Sequence, residues 1–565
     1  MAYFVIQRGH VHIGLGLYIL LKRSVIGGFV LMKVIVTDKM ADDGIKYLRE
    51  NGFEVDTPFG ISPEELLEVI ENYDAIIVRS ATKVNEKVIE KGKNLKVVGR
   101  AGNGIDNIDV NACTKRGILV VNTPEGNIMA AAELTIGMIF SLFRNIPQAF
   151  MAAKNKDFRR NKFVGNELDG KVAGVIGLGR IGTIVASKLK ALNMKVIAYD
   201  PFVTDDRYQK MGIKKCETIE DLMKEADVVT VHIPKTDKSQ GLIAEEEFKI
   251  CKKGIRIINV ARGGIVNEKA LYEALKDGRV AGAAIDVFEK EPNFTKKPEE
   301  QDYTNALLEL DNVIYTPHLG ASSEEANHNV SSQVAVLIAG ALKGEMVAAV
   351  NMPPVKVDDL DGIKPYAEIA EILGKIYYQA EKPTVQKLEV IYSGDLTEKD
   401  TKLISLSALK GLLQNAVNEN INYVNAGYIA KTMGIEMVES KSSYLDKYTN
   451  LITLKFTTKD RELSVSGTVF TKEEIRIVDF FGYKLDFEPT PYVIAIQNID
   501  KPGIIGQIGT ILGANDINIA AMQWSRNRKG EKAVAFVSVD CEVCENILGQ
   551  LREINGVLKA TMLKF

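Results

Sequence analysis

The chain has 565 residues, 46% of them apolar and 26% charged, a composition typical of a soluble globular protein and long enough for three or four domains of about 150 residues each. Its formal net charge of −3 provides no basic field, which argues against a nucleic-acid partner. Five scattered cysteines favour reduced thiols in the cytoplasm, and no grouping of residues predicts a metal site.

The first residues are apolar but fit no membrane element well. A basic pair, Lys22-Arg23, separates VHIGLGLYILL (11–21) from SVIGGFVLM (24–32), and each half is shorter than the roughly 20 residues of a membrane span. The stretch also fits a signal peptide only loosely. We therefore interpret residues 1–31 as an extension translated from an upstream start codon. Folding is expected to begin at Met32-Lys33, with no membrane association.

Residues 32–130 alternate short β-branched runs with helical patterns, which predicts buried parallel strands. The predicted strands are KVIV, FEVDT, DAIIVRS, LKVVGRAG and GILVVNTP, and the segment GIKYLRENG predicts a helix. The next segment, AAAELTIGMIFSLFRNIPQAF (130–150), is long and strongly apolar. It predicts one buried helix between domains.

A second series of strands and helices follows and predicts a doubly wound sheet. Its first turn contains Gly177, Gly179 and Gly182 between the strand KVAGVI and a helix. These glycines permit a tight turn, close approach of a pyrophosphate and close packing of the helix. Asp200 ends the next strand, where a carboxylate accepts hydrogen bonds from an adenosine ribose and repels the extra phosphate of NADP. The pattern therefore predicts NAD as the cofactor.

Hydride transfer from an alcohol requires a group that accepts the hydroxyl proton, and histidine suits this role near neutral pH. The five histidines are His10, His12, His232, His318 and His328. Two of them, His232 and His318, follow predicted strands at the edge where parallel sheets bind ligands. Glu291 is a candidate partner that would orient the histidine, and Arg262 is a candidate for gripping a substrate carboxylate.

Residues 32–352 resemble the D-isomer-specific 2-hydroxyacid dehydrogenases in four stretches: GLGRIG (177–182), NVARGGIV (259–266), GAAIDVFEKEP (282–292) and TPHLGASSEEA (316–326). The resemblance implies that Arg262 binds the substrate carboxylate, while Glu291 supports His318, which shuttles the proton. It also implies a flavodoxin-like substrate domain in two pieces, 32–130 and 318–352, around a Rossmann NAD-binding domain at 131–317. The cofactor contacts it implies are Asn103, Gly177, Gly179, Arg180, Ile181, Gly182, Asp200, Ile233, Val260, Ala261, Arg262, Asp286, His318, Gly320 and Ala321.

Two further stretches, VRSATKV (78–84) and VGRAGNGIDNID (98–109), resemble the substrate loops of those family members that oxidise 3-phosphoglycerate at the start of serine synthesis. The substrate contacts this implies are Arg79, Ser80, Arg100, Gly102 and Arg262. Fixed cations suit a small dianion. Asn103 departs from the usual small or β-branched residue at its place, which leaves its contact open.

After NMPPV (351–355) the pattern becomes α+β, with a strand KLEVIYSG, a helix TKLISLSALKGLLQNAV and a hairpin ITLKFTTKDRELSVSGTVF. Residues 353–489 resemble the intervening domain of the long family members. Their basic residues predict either an anion site or a solvated charged face.

Residues 490–565 resemble an ACT domain, a ferredoxin-like module that binds amino acids between paired subunits. A strand, a loop, a helix and a strand are predicted, and the GxxGxxG spacing at 503–509 does not suit a dinucleotide phosphate. The resemblance implies effector contacts at Asn498, Asp500 and Asn518, with L-serine as the effector. The alternative is a domain that only dimerises.

The sequence thus predicts an α/β enzyme whose doubly wound NAD-binding domain is inserted in a flavodoxin-like substrate domain, with two α+β domains after it. A cytoplasmic homotetramer is expected by resemblance. Two alternatives stay open: a dehydrogenase for another D-2-hydroxy acid, and a non-enzymatic binding protein similar to corepressors built on this fold.

Overall fold

The computed structural model describes residues 31–292, 297–353, 357–417, 420–442, 448–471 and 474–565. The interpretation of the N-terminal extension concerns residues that, apart from Leu31, lie outside this part of the chain. Two compact units are present. One takes residues up to Lys83 together with Gly99–Asn107 and Asn122–Gly344, and the other takes Val84–Val98, Ile108–Val121 and Glu345–Phe565.

The first sheet has five strands in the order β2-β1-β3-β4-β5, which is the flavodoxin-like order. Its elements are β1 Lys33–Val36, α1 Asp42–Glu50, β2 Glu54–Asp56, α2 Pro63–Val69, β3 Ala75–Val78, α3 Glu86–Lys91, β4 Val97–Arg100, α4 Val110–Lys115 and β5 Leu119–Asn122. Strand β1 pairs in parallel with both β2 and β3. Its valines and isoleucine are fully buried, as expected for a strand covered on both faces.

The second sheet has seven strands in the order β12-β11-β10-β9-β6-β7-β8. Its elements are β6 Val172–Ile176, α7 Arg180–Ala191, β7 Lys195–Tyr199, α8 Asp205–Met211, β8 Lys214–Lys215, α9 Ile219–Glu225, β9 Val228–Val231, α10 Glu245–Ile250, β10 Ile255–Asn259, α11 Glu268–Lys276, β11 Val280–Ile285 and β12 Val313–Tyr315, followed by α12 Glu324–Leu342. Neighbouring strands in it pair in parallel throughout the described residues. Strand β6 lies between β7 and β9, so the order reverses there and a crevice opens at its carboxyl end.

The segment predicted as one buried helix at 130–150 is instead two helices, and that prediction was wrong. Helix α5 spans Ile128–Phe143 and α6 spans Ile146–Lys154, and the two are bent by 65°. Asn145 between them adopts φ 50°, and Pro147 lies in the first turn of α6. A left-handed residue followed by a proline ends one helix and starts another. Helix α5 is packed into the core, whereas α6 has no buried residue.

No single helix in the described part of the chain is long and apolar enough to cross a bilayer. Only α5 and α6 taken together meet the length and composition of a span, and the bend separates them.

The third sheet, in the second unit, has six strands in the order β14-β13-β15-β16-β17-β18. Its elements are α13 Val357–Ala380, β13 Lys387–Gly394, α14 Lys402–Gln414, α15 Ala426–Thr432, β14 Glu436–Ser442, β15 Asn450–Thr457, β16 Glu462–Val469, β17 Ile475–Phe480 and β18 Tyr483–Phe487. The predicted strand KLEVIYSG corresponds to β13 residue for residue. The predicted hairpin is the antiparallel pair β15–β16.

The fourth sheet has the ferredoxin-like order β20-β21-β19-β22. Its elements are β19 Tyr492–Ile499, α16 Ile504–Ala514, β20 Ile519–Arg526, β21 Lys532–Val539, α17 Glu545–Glu553 and β22 Val557–Lys564. The predicted strand, loop, helix and strand of residues 492–526 are therefore confirmed. Buried residues of β19, β21 and β22, among them Val493 and Phe536, share one hydrophobic core with the third sheet.

Candidate active site

The turn after β6 has the shape that a dinucleotide phosphate requires. Gly177 has φ 92°, and a Cβ on Gly182 would lie 1.9 Å from the Gly177 carbonyl oxygen, so only glycine permits this approach. A Cβ on Gly179 would meet nothing within 4 Å, which leaves the backbone open toward a ligand. Helix α7 begins at Arg180 and directs its free N–H groups toward this opening. The residues present fit the pyrophosphate of a dinucleotide.

Asp200 lies directly after β7, beside the glycine turn. Its Oδ2 accepts a hydrogen bond from the Leu178 N–H at 2.8 Å, and its Oδ1 accepts one from the Phe202 N–H at 2.9 Å. These bonds fix the carboxylate, and each oxygen retains a lone pair for a ribose hydroxyl. The predicted contact with the ribose therefore has a rigid acceptor.

His232, the other histidine that follows a strand, lies behind the glycine turn and is partly buried. Its Nε2 and the Thr230 hydroxyl are 2.9 Å apart, and burial lowers the pKa of His232 to about 3. An imidazole that stays neutral and is engaged by a hydroxyl is poorly suited to take a proton from a substrate. His318, which has a carboxylate partner, is therefore the better candidate for the base.

His318 and Glu291 form the predicted couple. The distance between His318 Nδ1 and Glu291 Oε1 is 2.7 Å, and both side chains are about one-third exposed, at 31% and 33%. Because Glu291 engages Nδ1, Nε2 is the ring nitrogen that would exchange a proton with a substrate. His318 has φ 56°, a left-handed conformation that is uncommon for residues other than glycine and that needs constraint from its neighbours.

Asp286 supplies that constraint. Its side chain is buried; Oδ1 accepts hydrogen bonds from the Thr316 hydroxyl at 2.6 Å and the Leu319 N–H at 2.7 Å, and Oδ2 accepts one from the Gly320 N–H at 2.9 Å. Burial raises the pKa of Asp286, and these donors oppose the effect. The sequence suggested Asp286 as a cofactor contact. In the structure its carboxylate clamps the loop that carries His318.

Arg79 and Arg262 both lie within electrostatic range of Arg100. Burial, together with the positive charges of Arg262 and Arg79, lowers the pKa of Arg100 to about 10. Burial likewise lowers the pKa of Arg79. Among the described residues, none accepts a hydrogen bond from the buried Arg100 Nε. Such a cluster of cations, with one donor unsatisfied, suits a ligand with more than one negative charge.

Arg262 follows β10 and is held by two groups on the protein. Its Nε lies 3.1 Å from Asp106 Oδ2, and its Nη1 donates to the Ala261 carbonyl oxygen at 2.8 Å. A Cβ on Gly104 would lie 2.1 Å from Arg262 Nη2, so this glycine makes room for the guanidinium. Asp106 was not predicted from the sequence. The substrate carboxylate would compete with it for Arg262.

Asp38 and Asn107 were also not predicted, although both hold the loop that carries Arg79. Asp38 Oδ2 accepts hydrogen bonds from the Arg79 N–H at 2.7 Å and the Ala81 and Thr82 N–H groups at 3.2 Å. The Thr82 hydroxyl donates to Asp38 Oδ1 at 2.6 Å, and Asn107 Nδ2 donates to the carbonyl oxygens of Arg79 and Thr82. The one signal in the sequence was the position of Asp38 after β1, at the carboxyl edge of a parallel sheet.

Replacing Asp38 with asparagine should raise KM for the hydroxy-acid substrate about tenfold and leave the dissociation constant of NADH unchanged. Asparagine has one acceptor oxygen where aspartate has two, so its NH₂ group would take the place of the acceptor used either by the backbone N–H groups or by the Thr82 hydroxyl. The loop that carries Arg79 would then no longer be held in place. Steady-state kinetics and NADH fluorescence titration measure the two constants. Asp42→Asn, in the exposed first turn of α1, is the matched control. An equal rise in KM with the control substitution would refute the clamp.

The remaining predicted contacts lie at the carboxyl edge of the two sheets. Most lie just after a strand or in the loops of the site, namely Ser80, Gly102, Asn103, Ile233, Val260, Ala261, Gly320 and Ala321, while Arg180 and Ile181 begin α7. A Cβ on Gly320 would lie 3.5 Å from Val260 Cγ1, which brings the His318 loop against the Arg262 segment. The Asn103 carbonyl oxygen accepts a hydrogen bond from Asn122 Nδ2 at 2.7 Å. Their roles toward ligands stay predictions.

The predicted effector residues occupy the fourth sheet and its loops. Asn498 is buried at the end of β19, and within the described residues its Oδ1 has no hydrogen-bond partner. Asp500 accepts hydrogen bonds from the Gly530 N–H at 3.1 Å and Arg526 Nη1 at 2.6 Å, and these donors lower its pKa. Asn518 Nδ2 donates to Asp540 at 2.8 Å. Of the three, Asn498 presents a buried atom without a hydrogen-bond partner among the described residues, and the effector site stays a prediction.

Three family models match the chain in consecutive regions. Residues 136–320 match the NAD-binding domain of the D-isomer-specific 2-hydroxyacid dehydrogenases. Residues 362–481 match the intervening domain of D-3-phosphoglycerate dehydrogenase, and residues 492–556 match the ACT domain. The first match, together with the geometry of the glycine turn, makes NAD the cofactor.

Solved structures with the same fold cover a little more than half of the chain. The pyruvate reductase of Chlamydomonas reinhardtii is 26% identical with a TM-score of 0.52, over 56% of this chain and 98% of that one. D-lactate dehydrogenase from Aquifex aeolicus, complexed with NAD and lactic acid, is 28% identical with a TM-score of 0.50, over 55% and 96%.

Curated relatives extend over nearly the whole chain. The D-3-phosphoglycerate dehydrogenase of Methanocaldococcus jannaschii is 43% identical over 528 residues, which cover 93% of this chain and 98% of the relative. That of Bacillus subtilis is 40% identical over 534 residues, which cover 94% and 99%. At this identity and coverage, with the His318–Glu291 couple and the glycine turn in place, the chain belongs to the D-3-phosphoglycerate dehydrogenase family.

Proposed function

We propose that this chain oxidises 3-phospho-D-glycerate to 3-phosphohydroxypyruvate with NAD, as the first step of L-serine biosynthesis. The observation that carries the substrate assignment is the cluster of Arg79, Arg100 and Arg262, in which burial and mutual repulsion lower the pKa of Arg100 to about 10. A ligand with a carboxylate at one end and a phosphate at the other would neutralise this cluster. Lactate or another simple 2-hydroxy acid has one carboxylate and no phosphate, so it would leave much of the positive charge of the arginine cluster uncompensated.

The residues divide the reaction among them. Arg262 grips the carboxylate and sets C2 beside the imidazole, as a bidentate guanidinium fixes a planar anion. His318 takes the proton of the C2 hydroxyl at Nε2, while Glu291 holds Nδ1 and so fixes the tautomer. Bound at the glycine turn, NAD supplies the hydride acceptor. Asp286 and Asp38 keep the two loops in place.

We further propose that the chain is a cytoplasmic homotetramer and that L-serine inhibits it through the ACT domain. The unsatisfied Asn498 Oδ1 supports a polar ligand at that domain. The core shared by the third and fourth sheets supports a mechanical link from the ACT domain to the intervening domain. Self-association is supported by apolar side chains exposed in and after α6, namely Ile146, Phe150, Met151, Phe158 and Val164, with Phe150 62% exposed. The proposal includes the domain boundaries: a substrate domain at 32–130 and 318–352, an NAD-binding domain at 131–317, an intervening domain at 353–489 and an ACT domain at 490–565.

The test is NADH formation from 3-phosphoglycerate, with D-lactate and D-glycerate as comparison substrates, with and without L-serine. We expect turnover of 3-phosphoglycerate that serine suppresses, and kcat/KM at least about 100-fold lower for the acids that lack the phosphate. Preference for an unphosphorylated acid would favour the alternative dehydrogenase. No turnover in either direction would favour a binding protein. Activity that serine leaves unchanged would indicate that the ACT domain serves only in subunit assembly. Light scattering would give the number of subunits.

A further inference from the structure

The loop that carries Glu291 is held to the start of α11 by a reciprocal pair of glutamates. The Glu289 N–H donates to Glu268 Oε1 at 2.5 Å, and the Glu268 N–H donates to Glu289 Oε1 at 3.0 Å. Glu289 precedes Glu291 by two residues, and residues 293–296 are not described. Within the described part of the loop, these two hydrogen bonds are the side-chain contacts nearest in sequence before Glu291, and they hold the backbone from which Glu291 extends.

The second oxygen of Glu268 is also engaged, by a partner whose orientation is fixed. Asn305 Nδ2 donates to Glu268 Oε2 at 2.8 Å, and Asn305 Oδ1 accepts a hydrogen bond from the Leu307 N–H at 3.0 Å. Because the Leu307 bond requires the oxygen of Asn305 where it is, the amide cannot turn over. Glu268 must therefore accept at both of its oxygens, which a carboxylate does and an amide does not.

The same loop presses against the segment that carries Arg262. A Cβ on Gly263 would lie 1.7 Å from the Phe288 carbonyl oxygen, so the two backbones are in direct contact. Asn267 caps α11 by accepting a hydrogen bond from the Ala270 N–H at 2.9 Å, which fixes the first turn on which Glu268 sits. The loop of Glu291 and the strand end of Arg262 thus share one support.

We propose that Glu268 is a positioning residue for the reaction: it sets the place of Glu291 and, through Glu291, the orientation of His318. The distance of 2.7 Å between Glu291 Oε1 and His318 Nδ1 is the quantity that Glu268 controls. A base that shifts by about 1 Å loses much of its rate, so a residue that never touches the substrate can govern turnover. This inference rests on the proposed dehydrogenase function.

Replacing Glu268 with glutamine should lower kcat about tenfold, with the dissociation constant of NADH unchanged and KM within about twofold. Glutamine has one acceptor oxygen, so it satisfies either the Glu289 N–H or Asn305, and the loop moves. Glu273→Gln, an exposed glutamate on the same helix, is the matched control and should leave kcat unchanged. A merely structural weakening would lower the melting temperature and the amount of active enzyme without this split between kcat and binding.

A double-mutant cycle with Glu291→Gln decides between the two accounts. If Glu268 acts through Glu291, then Glu268→Gln should cause no further loss of kcat in the Glu291→Gln background. Should Glu268→Gln fail to fold, Glu289→Ala removes the other half of the pair, and its expected loss of about threefold should vanish in the same background. If the losses of kcat from the two single substitutions multiply in the double variant, the positioning role of Glu268 is overturned, while the proposed function stands. Inactivity of the unsubstituted chain with every 2-hydroxy acid would overturn both this role and the proposed function.

Discussion

Replacing His318 with asparagine should lower kcat for oxidation of 3-phosphoglycerate by about 10³-fold, within the range of 10² to 10⁴ that a general base contributes. The His318 imidazole combines a carboxylate partner at 2.7 Å with a partly exposed side chain just after strand β12, at the carboxyl edge of the second sheet. Without it, the proton of the C2 hydroxyl has no acceptor within the site. The affinity for NADH should change little, because the glycine turn and Asp200 are expected to carry most of that binding.

Asparagine is the appropriate replacement because His318 has φ 56°. Asparagine tolerates this left-handed conformation better than alanine, so the loop clamped by Asp286 should keep its shape. The measurement is kcat from NADH absorbance, with NADH fluorescence to verify binding. His328→Asn is the control, since His328 lies on α12 and pairs with Asp43 at 2.7 Å on the surface. A kcat within tenfold of the unsubstituted value would remove His318 from its role as base.

Replacing Arg262 with alanine should lower kcat/KM by two to three orders of magnitude and leave NADH binding mostly in place. Two charge-assisted hydrogen bonds to a carboxylate are together worth about 3 to 5 kcal/mol, and each 1.4 kcal/mol is tenfold. Both KM and kcat should change, since in the proposed reaction Arg262 binds the substrate and also orients C2 toward His318. Unchanged turnover would remove Arg262 from the mechanism.

Two further variants separate the loss of the substrate-carboxylate contact from the effect of leaving Asp106 without its ion-pair partner. Arg262→Lys keeps the charge without the planar fork, so its activity should lie between that of the alanine variant and the unsubstituted chain. Asp106→Asn releases Arg262 from its ion pair at 3.1 Å without removing the guanidinium. If the alanine variant fails only because Asp106 is left unpaired, then Asp106→Asn combined with Arg262→Ala should recover activity. We expect no recovery, because the carboxylate contact itself is missing.

The sequence by itself determined the parts of this protein that depend on neighbours along the chain. Strand β13 follows from the alternation in KLEVIYSG, and the turn at Gly177 follows from glycine spacing between a strand and a helix. The positions of Asp200 and His318 after strands placed both at the ligand edge, because parallel strands bring their carboxyl ends together. Local pattern fixes such features, and the family resemblance supplied the roles of Arg262, Glu291 and His318.

Only the tertiary structure decided which distant residues support the site. Asp38 is 41 positions from Arg79, Arg262 is 156 positions from Asp106, and Glu268 is 21 positions from Glu289. A lone carboxylate in a sequence has no pattern that reveals such a partner. The break at Asn145 was missed for a related reason: the apolar run predicts burial by composition, whereas the left-handed residue and the exposed face of α6 follow from packing. Such hydrogen bonds form only when folding brings segments that are distant in sequence to the same edge of a sheet, and so the supports of Arg79, Glu291 and His318 became visible only in the folded chain.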